Sequence, residues 1–533
     1  MPTKLNGSNL AKLKDDIVKP KYDRPVEGGI FTDKYICHIG IGSFHRSHQA
    51  VYTDDVLNLG VDPSWGIVGI GLTKSKTGLQ KHAEMKDQDC LYTVMTLSPE
   101  VQETRIVGSI IDYLLAPEDY PGTIDKLADP KCAIVSLTVT EKGYMQDVNG
   151  DLDTDNSRVK DDLANDLATP KTCTGIILAA LRKRMQAGVP SFTVMSCDNL
   201  PENGDKIKHV TLQMAKLVSQ ELHDWVKENT TFPNTMVDRI TPATEPHHRE
   251  KLEKENDLMD GSPVIAEDFK QWVIEDSFAC GRPAWDKVGA LVVKDVKPYE
   301  FMKLRLLNGG HSALSYISVL AGHTFVDEAM DDSLITSFVK GYFSEMKKTL
   351  LPVEGVDTEA YMDKLIERFS NPYVKDKCTR LAEDGSKKMQ NTMRDGAVEL
   401  VREGLPITFI ALANAAWIRY MTGEDEQGKP TLINDPAGEE LTALAKIAVQ
   451  DPINPAPEKF LESVHGVELA NLSTFVDTVK AHLVSLLSVG AKETLKVVLP
   501  CFHTSQLGSY SFALSTLESI SYTYLYQYWM PDD

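Results

Sequence analysis

Hydrophobic and polar positions follow two different patterns along the chain. In the first part, short apolar runs rich in β-branched residues end in glycine or a polar turn, which is typical of buried strands. Between these runs, the apolar residues recur with a helical period. The alternation of strands and helices predicts a parallel, doubly wound sheet. The predicted strands are YICHIGIG at 35–42, WGIVGIGL at 65–72, CAIVSLTV at 132–139 and SFTVMSCD at 191–198.

Two helices are predicted between these strands. One, SFHRSHQAVYTDDVLNLG, follows the first strand and begins near Phe44. The other, TCTGIILAALRKRMQAG at 172–188, ends at a glycine, which is a common helix stop. After about residue 295 the long segments have a helical period, and clear strand runs are absent. We therefore predict an N-terminal α/β domain over residues 1–291 and a mostly helical domain over residues 292–533.

The composition narrows the kinds of partner that the protein can have. Its 533 residues include 56 Lys and Arg against 77 Asp and Glu, which gives a formal charge of −21. This acidic balance argues against a nucleic-acid partner or an anionic membrane, because both depend on Lys and Arg for contact. It does not argue against a small anionic ligand, since a local group of donors can bind one inside a negative protein.

The cysteines indicate a reducing environment. All eight lie far apart, and none forms a C-x-x-C pair or a ligand set at recognisable spacing, so no metal site is predicted. The N-terminal segment lacks the apolar core of a signal peptide, and no apolar run approaches the roughly 20 residues that span a bilayer. These features predict a cytoplasmic protein with free thiols.

The first predicted strand ends in Gly40 and Gly42, which begin a dinucleotide-binding fingerprint. Glycines at this point let the backbone turn tightly and bring helix N–H groups close to a pyrophosphate. The third glycine of G-x-G-x-x-G is missing, so the same residues could also form an ordinary strand-to-helix turn. His45, Arg46 and His48 follow, and they could supply donors to phosphates or form a solvated helix face.

The turn after the second strand bears on the choice of coenzyme. An acidic residue there would bind the adenosine ribose hydroxyls and favour NAD. This chain has Thr73, Lys74, Ser75 and Lys76 instead. Two lysines and two hydroxyls could accommodate the 2′-phosphate of NADP, although an exposed polar turn has the same composition. We therefore predict NAD as the cofactor, with NADP as an alternative.

The segment from Tyr299 to His311 carries the most chemistry. On an ideal helix with about 100° per residue, Lys303 at 0° places Glu300 at about 60° and His311 at about 80°. Asn308 falls at about 140° on the same scale. A lysine buried on this face would have a lowered pKa and could act as a general base. In the alternative, the lysine reaches solvent while the histidine and asparagine bond neighbouring backbone groups.

Gly309 and Gly310 lie inside the same predicted helix. Two glycines cost a helix about 2 kcal/mol, at about 1 kcal/mol each. That cost predicts a close approach by another backbone or by a ligand at this point.

Two polar turns in the first domain are further candidates. Asp198 and Asn199 would project at the carboxyl end of a strand, where ligands of such sheets bind. They could also form a local Asx-turn before a proline. The VDRITP sequence at 237–242 could belong to a site or form a plain surface ion pair.

These stretches together resemble the mannitol dehydrogenase family, the zinc-independent, polyol-specific long-chain dehydrogenases. The resemblance covers most of the chain, and VDRITP and KLRLLNGGH are its specific motifs. It implies a Rossmann-like dinucleotide-binding domain followed by a helical substrate-binding and catalytic domain. The matching pieces are HIGIGSFHRSHQAVYTDD at 38–55, QDCLYTV at 88–94, LTVTEKGY at 137–144, SCDNLPENG at 196–204, FPNTMVDRITPAT at 232–244, KLRLLNGGHSALSY at 303–316 and IERFSNPYVKDKCTRLAEDGSKKM at 366–389.

The resemblance implies a role for each matching residue. Lys303 corresponds to the general base, and Glu300 to a residue that gates proton exchange between this lysine and water. Asn199 and Asn308 correspond to donors that hold the substrate oxygen and stabilise its alkoxide. His311 corresponds to a residue that orients the substrate. The residues that match polyol-binding positions are Asp238, Arg380 and Lys388, and those assigned to the cofactor are Gly40, Gly42, Phe44, Arg46 and Lys74.

The implied reaction is the metal-independent, reversible oxidation of D-mannitol to D-fructose by hydride transfer to NAD(P). Amide donors would take the place of the zinc that other polyol dehydrogenases use. The family also contains D-arabinitol 2-dehydrogenases and hexuronate (fructuronate) reductases, which remain alternatives. From other classes, a non-catalytic dinucleotide sensor would lack the proton-handling set, and a methyltransferase would use the glycine loop for a different cofactor. The resemblance also implies a monomer.

Overall fold

The computed structural model of the protein describes residues 2–24, 34–62 and 65–505, with side chains up to residue 500. Residue contacts divide the chain into two compact units, Met1–Lys297 and Pro298–Asp533. The first unit is an α/β domain, and the second is helical. The predicted fold class, a Rossmann-like sheet followed by a mostly helical part, is confirmed.

The strands of the described residues all lie in the first unit. In chain order they are β1 (Thr3–Lys4), β2 (Lys34–Ile39), β3 (Trp65–Gly71), β4 (Tyr92–Leu97), β5 (Gln102–Val107), β6 (Ile110–Leu115), β7 (Cys132–Leu137), β8 (Thr193–Ser196), β9 (Thr235–Asp238), β10 (Leu258–Met259), β11 (Val264–Ala266), β12 (Gln271–Glu275) and β13 (Leu291–Val293).

Five of these strands form the central sheet, in the order β6-β3-β2-β7-β8 and all parallel. Counted along the chain within this sheet, the order is 3-2-1-4-5, as in dinucleotide-binding folds. The four predicted strands correspond to β2, β3, β7 and β8, while the edge strand β6 was not predicted. The interior strands are buried on both faces, which explains their continuous apolar runs.

Helices pack on both faces of this sheet. One apolar core contains residues of α4, α6 and α7, and the other contains residues of α2 together with Trp272 and Trp285. The helices of the first unit are α1 (Ser43–Ser47), α2 (Gln49–Leu59), α3 (Lys76–Asp87), α4 (Tyr120–Ala128), α5 (Ser157–Ala164), α6 (Cys173–Ala187), α7 (Asn203–Val218), α8 (Gln220–Asn229) and α9 (Pro246–Asn256), with short 3-10 turns at Gly7–Lys12, Glu141–Tyr144 and Trp285–Val288.

The two predicted helices fare differently. The helix at 172–188 is confirmed as α6, with Thr172 as its N-cap and Gly188 ending it in the left-handed region at φ +65°. The predicted single helix after the first strand is wrong, because His48 has φ −118° and ψ −93° and separates α1 from α2. The ring of His48 is buried and bonds the Gln271 carbonyl, and this long-range contact coincides with the break.

Smaller sheets that the sequence pattern did not predict complete the first unit. β4 pairs with β5 and β11, and β12 pairs with β9 and β13. β9 also approaches the edge of the central sheet, where the Thr235 hydroxyl donates to the Ser196 carbonyl at 2.6 Å. This contact places Asp238, the last residue of β9, in the strand layer beside β8.

The second unit is helical throughout its described residues. A π-helical segment, Lys303–Asn308, separates its first two helices, and a 3-10 turn lies at Lys347–Thr349. The helices are α10 (Lys297–Met302, which begins at the last residue of the first unit), α11 (Gly309–Leu320), α12 (Val326–Asp331), α13 (Ser333–Met346), α14 (Thr358–Phe369), α15 (Cys378–Leu381), α16 (Gly385–Arg402), α17 (Thr408–Tyr420), α18 (Gly438–Ala448), α19 (Glu458–Ala470) and α20 (Ser473–Ser505, with a break at Gly490).

The core of the second unit forms around α11 and α17. Both helices are buried on nearly all sides, which is characteristic of central helices in a bundle. α11 packs against α13, α15, α16 and α17, so the π segment just before it is held by several neighbours. Within the described ranges, no helix combines the length and the hydropathy that crossing a membrane would need.

Candidate active site

The loop after β2 is built around Gly40. Its φ of +97° lies in the left-handed region, where residues with a Cβ are strained. A Cβ here would also lie within 3.0 Å of the Thr138 carbonyl oxygen, in the loop after β7. The Gly40 N–H donates to the Ile70 carbonyl at 3.0 Å. Close backbone packing on both sides therefore requires glycine at this position.

Gly42 has the opposite surroundings. The nearest described atom to a Cβ at Gly42 would be the Gly40 carbonyl oxygen, at 3.9 Å, so this side of the loop is open among the described residues. The loop lies at the carboxyl end of β2, and the strand order reverses between β2 and β7, which is where sheets of this type bind ligands. An open glycine backbone at this point fits a dinucleotide, whose pyrophosphate approaches such a loop closely.

A chain of side-chain hydrogen bonds holds the glycine loop. His38 bonds the Ser136 hydroxyl through Nδ1 at 2.8 Å and the Thr138 hydroxyl through Nε2 at 2.9 Å. The Thr138 hydroxyl in turn donates to the Gly40 carbonyl at 2.8 Å. Burial lowers the pKa of His38 to about 3, so the ring is neutral at neutral pH.

His45, Arg46 and His48 are all buried, so the alternative of a solvated helix face is wrong. The His45 ring stacks on that of His38, with centroids 3.4 Å apart. His48 donates through Nε2 to a backbone carbonyl at 2.8 Å, and Phe44 stacks on its ring at 5.0 Å. Desolvation lowers the pKa of His45 and His48, for His48 to about 3. These rings serve as neutral packing groups beside the loop.

Arg46 connects α1 with the small sheet that contains β4. Its Nη1 donates to the Ser262 carbonyl and, at 3.3 Å, to the Ser262 hydroxyl. The guanidinium lies over the Tyr92 ring, 5.3 Å from its centroid, and the Tyr92 hydroxyl donates to the Arg46 carbonyl at 2.6 Å. Burial lowers the pKa of Arg46. The contacts that Arg46 and Phe44 would make with a cofactor stay predictions.

Lys81 is a residue of this loop that sequence reasoning missed. Its Nζ donates to the carbonyl of Ile41, between the two glycines, at 3.1 Å. Burial, and secondarily the positive charge of Arg46, lower the pKa of Lys81. Lys81 lies in α3, 40 residues after Ile41. Its position in the sequence does not distinguish it from the other polar residues of this helix. Only the tertiary packing of α3, which contacts the edge strand β6, brings its ammonium to the glycine loop.

The turn after β3 is exposed. Exposure agrees both with a site for the 2′-phosphate of NADP and with a plain polar turn. Ser75 is the N-cap of α3, and its hydroxyl accepts from the Gly78 N–H at 3.1 Å. The Lys74 Nζ lies 4.0 Å from the Glu118 carboxylate, with both side chains about half exposed. Lys74 and Lys76 thus lie at the start of α3 as exposed side chains.

Asp198 fixes the loop that follows β7. Its carboxylate accepts from the Thr140 N–H at 2.8 Å, the Val139 N–H at 3.2 Å and the Tyr144 hydroxyl at 3.1 Å. The local Asx-turn alternative is therefore wrong for Asp198, since these donors lie more than fifty residues earlier in the chain. Thr140 has a φ of +63°, which is unusual for a residue with a Cβ and is maintained by this carboxylate. Asn199, the next residue, is exposed.

Asp238 and Arg239 are both buried, so the surface ion pair alternative is also wrong. The guanidinium of Arg239 donates through Nε and Nη2 to the Glu267 carbonyl, at 3.0 and 2.8 Å. A third nitrogen, Nη1, donates to the Ser47 carbonyl at the end of α1. Burial lowers the pKa of Arg239 to about 10. Arg239 thus joins β9 to the glycine-loop region. Asp238 is the last residue of the same strand.

The segment with the most predicted chemistry contains a π turn. α10 ends at Met302, residues Lys303–Asn308 form the π segment, and α11 begins at Gly309. The Gly309 N–H is shared between the carbonyls of Leu304, five residues earlier, and Leu306, and it does not donate to the residue four positions earlier as in an α-helix. Lys303 is buried, with 5% of its surface exposed, and Asn308 is half-buried.

This π turn corrects the predicted helical projection. In a regular α-helix Lys303 and Asn308 would be about 140° apart. A hydrogen bond from residue i+5 to residue i brings residues five apart onto similar sides of the helix. Lys303 and Asn308 therefore lie closer to one face than the ideal helix predicts. π turns are rare and frequently occur at functional sites.

Two side chains attach the π segment to its neighbours. Arg305 forms a bidentate pair with the Glu399 carboxylate of α16, with both N–O distances at 2.8 Å. Its Nη1 also donates to the Thr349 carbonyl at 2.5 Å. The Tyr342 hydroxyl of α13 donates to the Arg305 carbonyl at 3.0 Å. Sequence reasoning missed both Arg305 and Tyr342, because neither polar contact is local.

Gly309 and Gly310 accommodate aromatic rings. A Cβ at Gly309 would lie within 3.0 Å of the Tyr342 hydroxyl, and one at Gly310 would lie 2.6 Å from Phe343 Cε1. The close approach was predicted, but the approaching group is neither a backbone nor a ligand. His311, one residue later, stacks on Phe369 of α14 with centroids 4.3 Å apart.

Arg380 and Lys388 lie on either side of the turn between α15 and α16. Arg380 is exposed and makes a two-point ion pair with Asp376, which raises the pKa of the guanidinium. The Lys388 ammonium donates to the Leu381 carbonyl at 3.1 Å, and burial lowers its pKa. Glu300, Lys303, Asn308, His311, Arg380 and Lys388 belong to the second unit, whereas Asn199 and Asp238 belong to the first. Their catalytic and binding roles stay predictions.

Potential metal ligands do not converge in the described part of the chain. No group of three or more His, Cys, Asp or Glu side chains there is arranged to hold a metal ion. The seven cysteines with described side chains are free thiols.

Two family models match the chain. The mannitol dehydrogenase Rossmann domain matches residues 34–287, and the mannitol dehydrogenase C-terminal domain matches residues 295–487. Among similar proteins, mannitol 2-dehydrogenase of Phaeosphaeria nodorum is 38% identical over 497 residues, which cover 92% of this chain and 85% of that protein.

Two solved structures are similar over 93% of this chain and 100% of their own. One is Pseudomonas fluorescens mannitol 2-dehydrogenase in a ternary complex with NAD and D-mannitol, with a TM-score of 0.78 and 40% sequence identity. The other is a D-sorbitol dehydrogenase in substrate-free form, with a TM-score of 0.83 and 35% identity. Both similarities extend over the two units.

The buried histidines predict a loss of stability in mild acid. Besides the glycine-loop histidines, burial lowers the pKa of His465 to about 3 and of His482 to about 4. In the unfolded chain a histidine titrates near 6.5, so between about pH 6.5 and pH 4 the unfolded state binds more protons than the folded state. The free energy of unfolding should therefore fall by about 2 kcal/mol per such histidine between pH 7.5 and pH 5.

Urea unfolding of His482→Met at these two pH values checks this expectation. The variant should lose about 2 kcal/mol less stability on acidification than the unmodified protein, because methionine does not titrate. His247→Gln, which removes an exposed histidine, is the matched control and should leave the pH dependence unchanged. An equal acid loss in His482→Met and the unmodified protein would contradict the assignment.

Proposed function

The chain belongs to the mannitol dehydrogenase family and is an NAD-dependent polyol dehydrogenase, and we propose that it catalyses the metal-independent, reversible oxidation of D-mannitol to D-fructose with Lys303 as general base. The observation that carries this proposal is the buried Lys303 at the start of the π turn, five residues before Asn308. Further support comes from the mannitol 2-dehydrogenases that resemble the chain over both units.

Lys303 takes the proton in the proposed reaction. Its neutral amine accepts the proton of the substrate C2 hydroxyl as the C2–H bond breaks and the hydride leaves. Bound NAD supplies the hydride acceptor at its nicotinamide ring. In the reverse direction the lysine ammonium donates the proton to the carbonyl oxygen of the ketose. A fixed, buried position suits this role, because a general base has to lie within hydrogen-bonding reach of the proton that it removes.

The amide groups of Asn199 and Asn308 stabilise the alkoxide in this proposal. Each side chain offers N–H donors that strengthen their bond as negative charge develops on the substrate oxygen. His311 orients the same oxygen, and its stacking on Phe369 limits the rotation of the ring. Glu300 lies three residues before Lys303, a spacing that allows it to pass protons between the lysine and water.

The remaining polar residues would bind the rest of the polyol. Asp238 offers a carboxylate that accepts from hydroxyl groups, while Arg380 and Lys388 offer N–H donors. Arg380 keeps free donor capacity, because its two-point bond to Asp376 uses only Nε and Nη2. A neutral, hydroxyl-rich substrate suits this mixture of donors and acceptors.

The cofactor would lie along the glycine loop. Gly40 and Gly42 let its pyrophosphate approach the backbone, and Phe44, Arg46 and Lys74 are the side chains that we assign to it. The exposed Lys74 and the neighbouring lysine support a second proposal, that NADP is also accepted. We further propose that the protein acts as a cytoplasmic monomer, with the free cysteines in support of a reducing compartment.

Other family activities are the nearest alternatives. D-Arabinitol 2-dehydrogenase and hexuronate reductase use the same chemistry on different chains of hydroxyls, and the solved D-sorbitol dehydrogenase favours D-sorbitol as a second candidate substrate. A non-catalytic sensor is disfavoured, since Lys303, Asn308 and His311 are all present.

A matrix of substrates and coenzymes tests the proposed reaction. We expect the highest kcat/KM with D-mannitol and NAD, and with D-fructose and NADH, in a panel that includes D-arabinitol, D-sorbitol and fructuronate.

Prolonged EDTA treatment should leave these rates unchanged, because amide donors supply the alkoxide stabilisation. Activity that falls with chelation and returns with zinc would overturn the metal-independent mechanism.

Replacement of the lysine tests the proton step. Lys303→Ala should lower kcat for fructose reduction at pH 7 by about 10²- to 10⁴-fold, the usual contribution of general acid–base catalysis. Lys340→Ala, at an exposed position on α13, should keep the activity of the unmodified enzyme. If the rate with Lys303→Ala fell less than tenfold, the assignment of the base would be wrong.

A charge change at the start of α3 tests the coenzyme proposal. Lys74→Asp combined with Lys76→Ala should lower the NADP/NAD ratio of kcat/KM by about tenfold, since charge-assisted bonds to a phosphate are worth about 1.5–3 kcal/mol. Lys216→Asp with Lys227→Ala changes the net charge equally at exposed positions of α7 and α8 and serves as the control. An unchanged ratio would show that this turn does not contact the ribose.

A further inference from the structure

The π turn leaves one backbone carbonyl outside the usual helix pattern. In an α-helix the Gly309 N–H would donate to the carbonyl of Arg305, four residues earlier. Here it is shared between the Leu304 and Leu306 carbonyls instead. The Arg305 carbonyl therefore needs another donor, because an unpaired buried carbonyl costs about 1–3 kcal/mol.

Tyr342 supplies that donor. Its hydroxyl donates to the Arg305 carbonyl at 3.0 Å, from a fully buried position on α13. The same hydroxyl occupies the space beside Gly309 where any Cβ would project. Tyr342 therefore has two contacts at this turn. Its hydroxyl donates to the Arg305 carbonyl, and it lies against Gly309, whose N–H would bond that carbonyl in an α-helix.

We propose that Tyr342 is a positioning residue that selects the π register of this segment over the α register, and that Gly309 provides the space for its hydroxyl. Without the hydroxyl, the Gly309 N–H can donate to the Arg305 carbonyl. The segment then has the hydrogen-bond pattern of an α-helix in place of the wider π turn. The guanidinium of Arg305 can keep its bonds to Glu399 in either register.

The register matters for the reaction because it sets the angle between Lys303 and Asn308. A return to the α register would rotate these residues toward the separation of about 140° that an ideal helix gives them. A base displaced by about 1 Å can cost about 10²-fold in rate. This consequence for catalysis rests on the proposed roles of Lys303 and Asn308, whereas the register itself does not.

Tyr342→Phe is the direct test, since it removes the hydroxyl and keeps the ring. We expect kcat for mannitol oxidation to fall by about 10- to 100-fold, with the KM for NAD unchanged and the pH dependence of kcat shifted. Tyr420→Phe is the matched control, because Tyr420 is also buried and donates to a backbone carbonyl, that of Leu432, at 3.0 Å. Its kcat and pH profile should equal those of the unmodified enzyme.

Gly309→Ala provides a second variant that acts on the same contact from the other side. The new methyl group would displace the Tyr342 hydroxyl and should lower both stability and kcat. In the double variant with Tyr342→Phe most of the collision is relieved, because the ring carbon Cζ, 3.2 Å from the site of the new Cβ, has to move by only a few tenths of an ångström. The melting temperature should therefore recover in the double variant, while kcat should stay low.

A crystal structure of Tyr342→Phe separates this inference from the proposed function. The inference expects the Gly309 N–H to pair with the Arg305 carbonyl, and a π turn that persists with the bond to Leu304 would overturn it. A Tyr342→Phe enzyme with unmodified kcat and pH profile, beside an inactive Lys303→Ala, would also overturn it. Full activity of Lys303→Ala would instead refute the proposed base. In that case the hydrogen-bond register in the crystal structure of Tyr342→Phe would still test whether Tyr342 selects the π turn.

Discussion

A buried backbone carbonyl that leaves its helical ladder has to find another donor, and the candidate catalytic segment of the second unit depends on this constraint. The Arg305 carbonyl is satisfied by the Tyr342 hydroxyl from a different helix. The π turn in turn places Lys303 and Asn308 nearer to one face than an α-helix allows. Two glycines are tolerated there, despite their low helix propensity, because the rings of Tyr342 and Phe343 occupy the space of their missing side chains.

The first unit meets the same requirement with different groups. The Gly40 carbonyl accepts from the Thr138 hydroxyl, and His38 links that hydroxyl to the strand beside it. Asp198 holds two N–H groups of the neighbouring loop, including that of Thr140 in its unfavourable conformation. In both units, polar groups to which we assign no substrate contact fix the backbone beside the predicted site residues. Such rigid support is what precise positioning in catalysis requires.

Electrostatics separates groups that stay charged from groups that burial makes neutral. The glycine-loop histidines have lowered pKa values, so their rings are neutral. Arg239 is held by backbone carbonyls, and Arg380 by the Asp376 carboxylate. The chain carries a formal charge of −21, yet cationic side chains such as Lys81 lie beside the loop proposed to bind an anionic cofactor. Net charge alone would not predict this local arrangement.

Part of this architecture is encoded locally and part is not. Continuous apolar runs were sufficient to predict β2, β3, β7 and β8, because parallel strands covered on both faces are buried, and this holds for β8 although it is the last strand of the sheet. The same local rules failed at His48, which breaks a predicted helix, and at Asp198, whose partners are distant in sequence. They also missed Lys81, since nothing in the polar face of α3 distinguishes the one lysine that reaches the glycine loop.

The sequence by itself determined the alternation of the four predicted strands with helices, the glycine turn and the residue types at the candidate site, since these depend on periodicity, propensity and motif. Only the tertiary structure decided the backbone register of the candidate catalytic segment and the identity of the groups that hold each loop. The physical reason is distance along the chain. A helix can adopt the α or the π register with the same residues, and the choice here depends on a hydroxyl that lies 37 residues from the carbonyl it pairs.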